Sequence, residues 1–79
     1  MRINLRGVRH IDINSEYIRL DALLKYASLA ATGGEAKMII QSGRVYVCGE
    51  KCLLRGRKIR PGDSVRHDDV ILLIRRAAV

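Results

Sequence analysis

The most concentrated chemistry in this sequence is a group of basic side chains between residues 44 and 60. Six of these residues are basic and one, Glu50, is acidic; the six are Arg44, Lys51, Arg55, Arg57, Lys58 and Arg60. An arginine can donate two parallel hydrogen bonds to one phosphate, and a lysine adds a point charge. Ile59 lies within the group and can anchor it to a core while the cations stay in water. This pattern is typical of a fixed surface that binds a polyanion.

A glycine pair supplies a further candidate contact. Gly33 and Gly34 lie in the first turn of a predicted helix, where backbone amides can donate to a phosphate. Glu35 argues against this contact, because its carboxylate would compete with an anion there. Lys37, one turn into the helix, can extend the basic surface. The candidate binding residues are therefore the six basic residues together with Lys37, Gly33 and Gly34.

The overall charge leaves two interpretations open. Fifteen Lys and Arg against eight Asp and Glu give a net charge of +7 in 79 residues. Such a charge attracts polyanions, but it also keeps a protein in solution. The clustering of the charge favours binding.

The aromatic residues indicate how a nucleic acid would be recognised. The chain has three tyrosines and neither Phe nor Trp, which argues against a platform that stacks single-stranded bases. We therefore expect recognition of backbone and shape. Tyr26 is predicted to pack against the helices. Tyr46 faces away from Val45 and Val47, and for its side chain both contact with a ligand and simple exposure to solvent stay open.

Other chemistries have little support in the residues. Cys48 and Cys52 are four positions apart, and His10 and His67 are distant in sequence, so no zinc pattern arises and we expect reduced, inert thiols. We find no acid-base pair, nucleophile arrangement or phosphate-binding loop, and expect no enzymatic activity, no cofactor, no metal and no small-molecule substrate. No apolar run is long enough to span a bilayer and none resembles a secretory signal, so a cytoplasmic location is expected.

The hydrophobic periodicity changes along the chain. Apolar and polar residues alternate through residues 1–14, which predicts a strand or hairpin at the N-terminus whose pairing partner cannot be inferred. The spacing of Leu20, Leu23, Leu24 and Ala27 then predicts one face of a short helix. Asp21 lies in its first turn, where the helix dipole favours a carboxylate.

A second helix is predicted from its capping signals. Thr32 and Glu35 have the spacing of a capping box, and Gly43 stands where a left-handed C-terminal cap is expected. Ala36, with Ile39 and Ile40, forms its buried stripe. The two helices are interpreted as a packed helix-turn-helix pair.

The C-terminal half returns to a period of two. Val45 and Val47 begin a hairpin that turns at Gly49, a basic connection follows, and further strands begin near Val65 and Val70. The predicted fold is α+β, with the helix pair on a small, mostly antiparallel sheet. One domain is expected, and a monomer.

The ordered set of these features resembles a known family: the small RNA-binding domain named after ribosomal small-subunit protein four, also called the alpha-L motif, and most closely its short stand-alone bacterial members. The residues that carry the resemblance are Leu20, Leu23, Leu24 and Lys25; Gly33 to Lys37; Ile40, Gly43, Val45, Val47 and Gly49; Arg55 to Ile59; and Gly62, Asp63 and Val65. The resemblance implies that residues 15–79 form an RNA-binding domain of this type, with residues 1–14 as an added strand.

The resemblance also implies a binding surface. In the family, the second helix and an adjoining basic loop face folded RNA, which selects Lys37, Arg44, Arg55, Arg57 and Lys58 here. Two departures stand out. Many members have a Ser-Arg pair where this chain has two glycines, so Lys37 is expected to replace a phosphate contact. Many also have Asn where this chain has Cys48, so a different hairpin turn is expected.

We therefore predict a non-enzymatic protein that binds structured RNA, such as ribosomal or transfer RNA, through its phosphate backbone and shape. The alternative is an interaction module that docks on an acidic protein or ribonucleoprotein.

Charge reversal tests the predicted surface. The double variant Arg55→Glu, Arg57→Glu is expected to lose most RNA affinity in a filter-binding titration while it stays folded, since both residues are predicted to be exposed. Unchanged affinity would place the site elsewhere.

Overall fold

A computed structural model describes residues 7–77 and confirms the α+β class. The chain forms seven strands and two helices within this range. In chain order they are β1 (Val8–Ile13), β2 (Ile18–Arg19), α1 (Leu20–Tyr26), α2 (Gly33–Gln41), β3 (Val45–Val47), β4 (Glu50–Lys51), β5 (Lys58–Ile59), β6 (Ser64–His67) and β7 (Val70–Arg76).

The strands form two sheets. The larger has the order β1-β7-β6-β3-β4, in which β1 and β7 are parallel and the other neighbours are antiparallel; β2 and β5 form a separate antiparallel pair. The N-terminal strand is therefore an edge strand, and its partner is β7. Residues 1–6 of the predicted extension lie outside the described residues, and the domain division at residue 14 stays a prediction.

Gly7 permits the first contact of the edge strand. A Cβ atom at this position would lie 2.1 Å from the carbonyl oxygen of Asp69, in the turn between β6 and β7. The Ile71 amide donates to the Gly7 carbonyl at 2.5 Å. Any larger residue would force the two segments apart, so the absence of a side chain lets β1 begin beside β7.

The hydrophobic core lies between the helices and one face of the large sheet. Residues paired directly across strands project to the same face, so the register separates an inner from an outer face. The core contains every leucine of α1 together with buried residues of α2, of β5 and of the inner face of the large sheet. Its fully buried large side chains are Leu20, Leu23, Leu24, Ile40, Ile59, Leu72, Val45, Val47 and Val65. Within residues 7–77 no helix has the length and apolar character needed to cross a membrane.

The predicted ends of α2 are confirmed. The Glu35 amide donates to the Thr32 hydroxyl at 3.1 Å, while the Glu35 carboxylate accepts from the Ala31 amide, one residue earlier than in the usual capping box. Gly43 has φ +82° after the last turn, as a left-handed cap requires. These local interactions set both the start and the length of the helix.

Two details differ from the sequence predictions. Cys48 and Gly49 have φ of 50° and 87°, so the two-residue hairpin turn keeps positive φ at both central positions, as a type I′ turn does, despite the cysteine. Both cysteines are free thiols.

The second difference concerns Tyr26. Its side chain is 63% exposed rather than packed against the helices, because the last turn of α1 directs it outward, and its hydroxyl donates weakly to the Asp12 carbonyl at 3.4 Å.

Truncation within α2 tests where the core lies. Ile40→Ala should lower the free energy of unfolding by about 2–5 kcal/mol, because it removes a fully buried side chain and leaves a cavity. Met38→Ala on the same helix should change it by less than about 0.5 kcal/mol, since Met38 is 74% exposed. Equilibrium urea denaturation measures both, and equal changes would contradict this placement of the core.

Candidate nucleic-acid interface

The centre of the candidate interface is a turn at residues 54–57, which we call the basic turn. The Arg57 amide donates to the Leu54 carbonyl at 3.1 Å and closes it. Two backbone carbonyls of the turn accept hydrogen bonds from the first amides of α1. The Leu20 amide donates to the Arg57 carbonyl at 2.8 Å, and the Asp21 amide donates to the Arg55 carbonyl at 3.0 Å. Amides at a helix N-terminus lack partners within the helix. The basic turn satisfies two of them and is held in place by the same bonds.

A buried carboxylate reinforces this docking. Asp21 is only 7% exposed, the one buried charged residue in the described part of the chain. Its Oδ2 accepts from Arg55 Nε at 3.0 Å and from Arg19 Nη2 at 3.1 Å, and its Oδ1 accepts from Arg19 Nε at 3.2 Å and from the Ala22 amide at 2.8 Å. Four donors saturate the carboxylate. Two arginines 36 positions apart in sequence therefore lie side by side.

The ionisation of Asp21 reflects this setting. Burial on its own would raise the pKa of the carboxyl group, because it disfavours the charged form. The bonds from Arg55, Ala22 and Arg19 outweigh it and hold the pKa of Asp21 below its ordinary value. The carboxylate is thus charged at neutral pH, and both arginines keep their anchor.

The β2–β5 pair extends the cationic surface. Arg19 and Lys58 are direct cross-strand partners, so their side chains share a face. The Lys58 ammonium lies 4.9 Å from the ring centroid of Tyr17, and the Arg60 guanidinium lies 6.0 Å from it. Ile59, between them, is fully buried. The sequence prediction that this isoleucine anchors a run of exposed cations is confirmed.

The beginning of α2 adjoins the basic turn. A Cβ atom on Gly33 would lie 3.8 Å from Arg55 Nη2, so the helix backbone comes close to that guanidinium. Lys37 is exposed and lies four residues along α2, on the side of the helix that Gly33 faces. Glu35 is bonded to the Ala31 amide. The structure thus brings Gly33 beside Arg55, and helical spacing places Lys37 on the same face of α2 as Gly33.

Arg44 and Lys51 lie at the other end of α2. A helix of this length separates them from Gly33 by roughly 14 Å. Arg44 forms a two-pronged ion pair with Asp68, which raises the pKa of Arg44 and lowers that of Asp68 through the hydrogen bonds between them. The Lys51 side chain lies beside Gly43, and Lys51 is the cross-strand partner of Tyr46. These two predicted residues do not join the group around the basic turn.

The outer face of the large sheet carries a separate cationic contact. The Arg66 guanidinium lies 4.5 Å from the ring centroid of Tyr46, its cross-strand partner. Arg75, further along this face on β7, pairs with Asp12 of β1. This face bears Tyr46 away from the core, as predicted.

Sequence reasoning did not include three residues that lie at the centre of the candidate interface: Tyr17, Arg19 and Asp21. The helix-dipole interpretation of Asp21 explains its position in α1 but not its two arginine partners. Arg19 stands two residues before Asp21, which is a visible local signal for that pair. Nothing local indicates Arg55, because the contact exists only when the basic turn docks on α1.

The contact between Arg55 and Asp21 argues against the prediction that Arg55 tolerates charge reversal. Its side chain is 42% exposed, but its Nε bonds to a nearly buried carboxylate, so Arg55→Glu would place two carboxylates together. Arg57 and Lys58 are exposed, and neither forms an ion pair with an acid in the described part of the chain. Charge reversal is better tested at those two residues.

Fold and surface together define a small α+β binding domain with a cationic face around one docked turn. The chain belongs to the S4 domain family, which matches residues 11–75, most of its length. This confirms the resemblance noted in the sequence. Membership implies RNA binding in general, and such domains are typically non-enzymatic.

Two ribosomal proteins are similar to part of the chain. Small ribosomal subunit protein uS4 of Novosphingobium aromaticivorans is 40% identical over 47 residues, and uS4 of Sphingopyxis alaskensis is 38% identical over 47 residues. In each case the match covers 60% of this chain and 23% of the relative. The chain thus spans less than a quarter of the length of these curated relatives.

Acid denaturation tests the Asp21 network. Because the pKa of Asp21 is lower in the folded than in the unfolded chain, its contribution to the free energy of unfolding is complete above about pH 4 and is lost as pH falls through the folded value. The destabilisation caused by Asp21→Asn should therefore shrink as pH falls from about 5 towards about 2. Urea denaturation at each pH measures it. Asp68→Asn, at an exposed ion pair, should show a smaller effect; a gap for Asp21→Asn that is constant with pH would contradict the network.

Proposed function

We propose that this chain binds structured RNA, double-helical or at a junction, through the phosphates and riboses of the backbone. The observation that carries the proposal is that Arg55, Arg57, Lys58 and Arg60 lie in or directly after one docked turn, with Arg55 beside Gly33 of α2. Cations on a rigid frame match the fixed spacing of phosphates in a folded RNA at a smaller entropic cost than cations on a mobile tail. Membership of the S4 domain family supports the same conclusion.

The aromatic contacts favour recognition of backbone over bases. Lys58 and Arg60 lie over Tyr17, and Arg66 lies over Tyr46. A ring face covered by a cation of the same chain is not open to a nucleobase, so neither tyrosine offers a free stacking surface on that side. A-form RNA displays phosphates and ribose hydroxyls across its shallow minor groove, where shape can be recognised without stacking.

Arg44, Lys51 and Gly34 remain part of the proposed surface with smaller roles. Arg44 is partly neutralised by Asp68, so its attraction for a phosphate is weaker than that of Arg57. We propose ribosomal or transfer RNA as the target, because both relatives are proteins of the small ribosomal subunit. We further propose that the protein acts as a cytoplasmic monomer without catalytic activity.

A second candidate function is docking on an acidic protein or ribonucleoprotein. The observation in its favour is an exposed apolar pair at the start of the basic turn: Leu53, which precedes the turn, is 53% exposed, and Leu54, its first residue, is 69% exposed. An apolar contact flanked by cations suits an acidic protein surface better than a bare RNA backbone. Leu53→Ser with Leu54→Ser should leave RNA affinity unchanged if RNA is the partner of the basic turn, and a loss of RNA binding would assign the apolar pair to the RNA interface.

A pair of matched charge reversals tests the proposed surface. Arg57→Glu, Lys58→Glu should weaken binding to a fluorescein-labelled RNA hairpin at least tenfold in a fluorescence anisotropy titration. The negative slope of log affinity against log salt should become less steep by about 2, since two phosphate contacts are lost. The control Arg66→Glu, Arg76→Glu makes the same change in charge at two exposed residues of the large sheet that form no ion pair among the described residues, and it also removes one cation–tyrosine contact.

The control variant should lose affinity only through its lower net charge, by a smaller factor and with a smaller change of slope. Equal losses for the two variants would mean that only net charge matters and that the basic turn is not the site. A wild-type protein that fails to bind the hairpin at about 50 mM salt would overturn the proposed function itself.

A further inference from the structure

The hydrogen bonds of Asp21 leave the outer edges of two arginines free to bind another anion. Arg55 uses only Nε towards Asp21, and its Nη1 and Nη2 have no acceptor among the described residues. Arg19 uses Nε and Nη2, so its Nη1 is likewise available. A guanidinium held at one edge by a carboxylate presents the opposite donors in a fixed direction. The two arginines therefore offer several N–H groups from adjacent positions.

The burial of this cluster is graded. The Asp21 side chain is 10% exposed, whereas the side chains of Arg55 and Arg19 are 42% and 53% exposed. The Asp21 carboxylate is thus shielded from solvent, whereas the unused N–H groups of the two arginines are exposed to solvent. One carboxylate against two guanidiniums also leaves a local charge of +1, so the cluster attracts an anion even with its own acid present.

Bare backbone lies next to each guanidinium. A Cβ atom on Gly56 would lie 3.5 Å from Arg19 Nη2, and one on Gly33 would lie 3.8 Å from Arg55 Nη2. Neither position carries a side chain that could cover the arginine beside it. An RNA backbone can therefore approach both guanidiniums closely.

We propose that Arg19 and Arg55 form a phosphate-binding site for the RNA backbone, and that Asp21 is its positioning residue. The site deepens the proposed function and rests on it: its ligand is a phosphodiester of the bound RNA. Asp21 holds both guanidiniums in their binding orientation before the RNA arrives, so little side-chain entropy is lost on binding.

This role differs from simple charge balance in a measurable way. If only net charge mattered, replacing Asp21 by a neutral residue would strengthen binding, because a negative charge near the RNA would be removed. If Asp21 positions the arginines, the same replacement weakens binding. The two explanations predict opposite signs for one substitution.

The experiment is an anisotropy titration of wild type and Asp21→Asn with the fluorescein-labelled RNA hairpin. We expect Asp21→Asn to bind about tenfold more weakly, the loss of roughly one charge-assisted hydrogen bond. Glu50→Gln removes the same charge from an exposed residue that has no ion pair among the described ones, and it should bind as tightly as wild type or slightly more so. Equal or tighter binding by Asp21→Asn would overturn the site.

Lysine variants keep the test decisive should Asp21→Asn fail to fold by circular dichroism. Arg19→Lys and Arg55→Lys preserve charge but lose the fork of donors, and each should bind about fivefold or more weakly. Lys25→Arg, at an exposed position on α1, is the control for an exchange of the two cations. Wild-type affinity in both lysine variants would overturn the site alone, whereas no binding by wild type would overturn the proposed function as well.

Discussion

The docking of the basic turn on the beginning of α1 is the interaction on which the candidate site depends. Two helix amides need acceptors, and the carbonyls of Arg55 and Arg57 supply them. The Asp21 carboxylate then draws in the side chains of Arg19 and Arg55. Without these contacts the cations would lie on an unsupported loop between the short strands β4 and β5. With them, the first helix becomes the support of the cationic surface.

The basic residues are therefore not equivalent, although they look alike in the sequence. Arg19 and Arg55 are held by one buried acid, Lys58 and Arg60 lie against Tyr17, and Arg44 is paired with Asp68 at the far end of α2. The +7 net charge sets a general attraction for polyanions. The partner of each cation determines whether its charge is neutralised within the chain and whether its side chain is held in a defined position for a phosphate.

Local signals in the sequence predicted most of the elements. The leucine spacing of α1, the Thr32 cap, Gly43 and the alternation around Val45 each act over a few residues, so each can be recognised without knowing the rest of the fold. The same reasoning was wrong about Tyr26, because a helix of two turns leaves its last residue free to point outward. It was also wrong to expect a different hairpin turn at Cys48, because the hairpin imposes positive φ on this residue although cysteine seldom adopts it.

By itself the sequence determined the α+β class, the helix ends, the buried role of Ile59 and the position of the basic run, because composition and short-range periodicity encode these. Only the tertiary structure decided that β1 pairs with β7, that Arg44 is neutralised by Asp68, and that Arg19 and Arg55 share Asp21. These contacts join residues far apart in the chain, and a charge pattern is the same whichever partner each charge meets. Their geometry arises when the core brings the basic turn against α1.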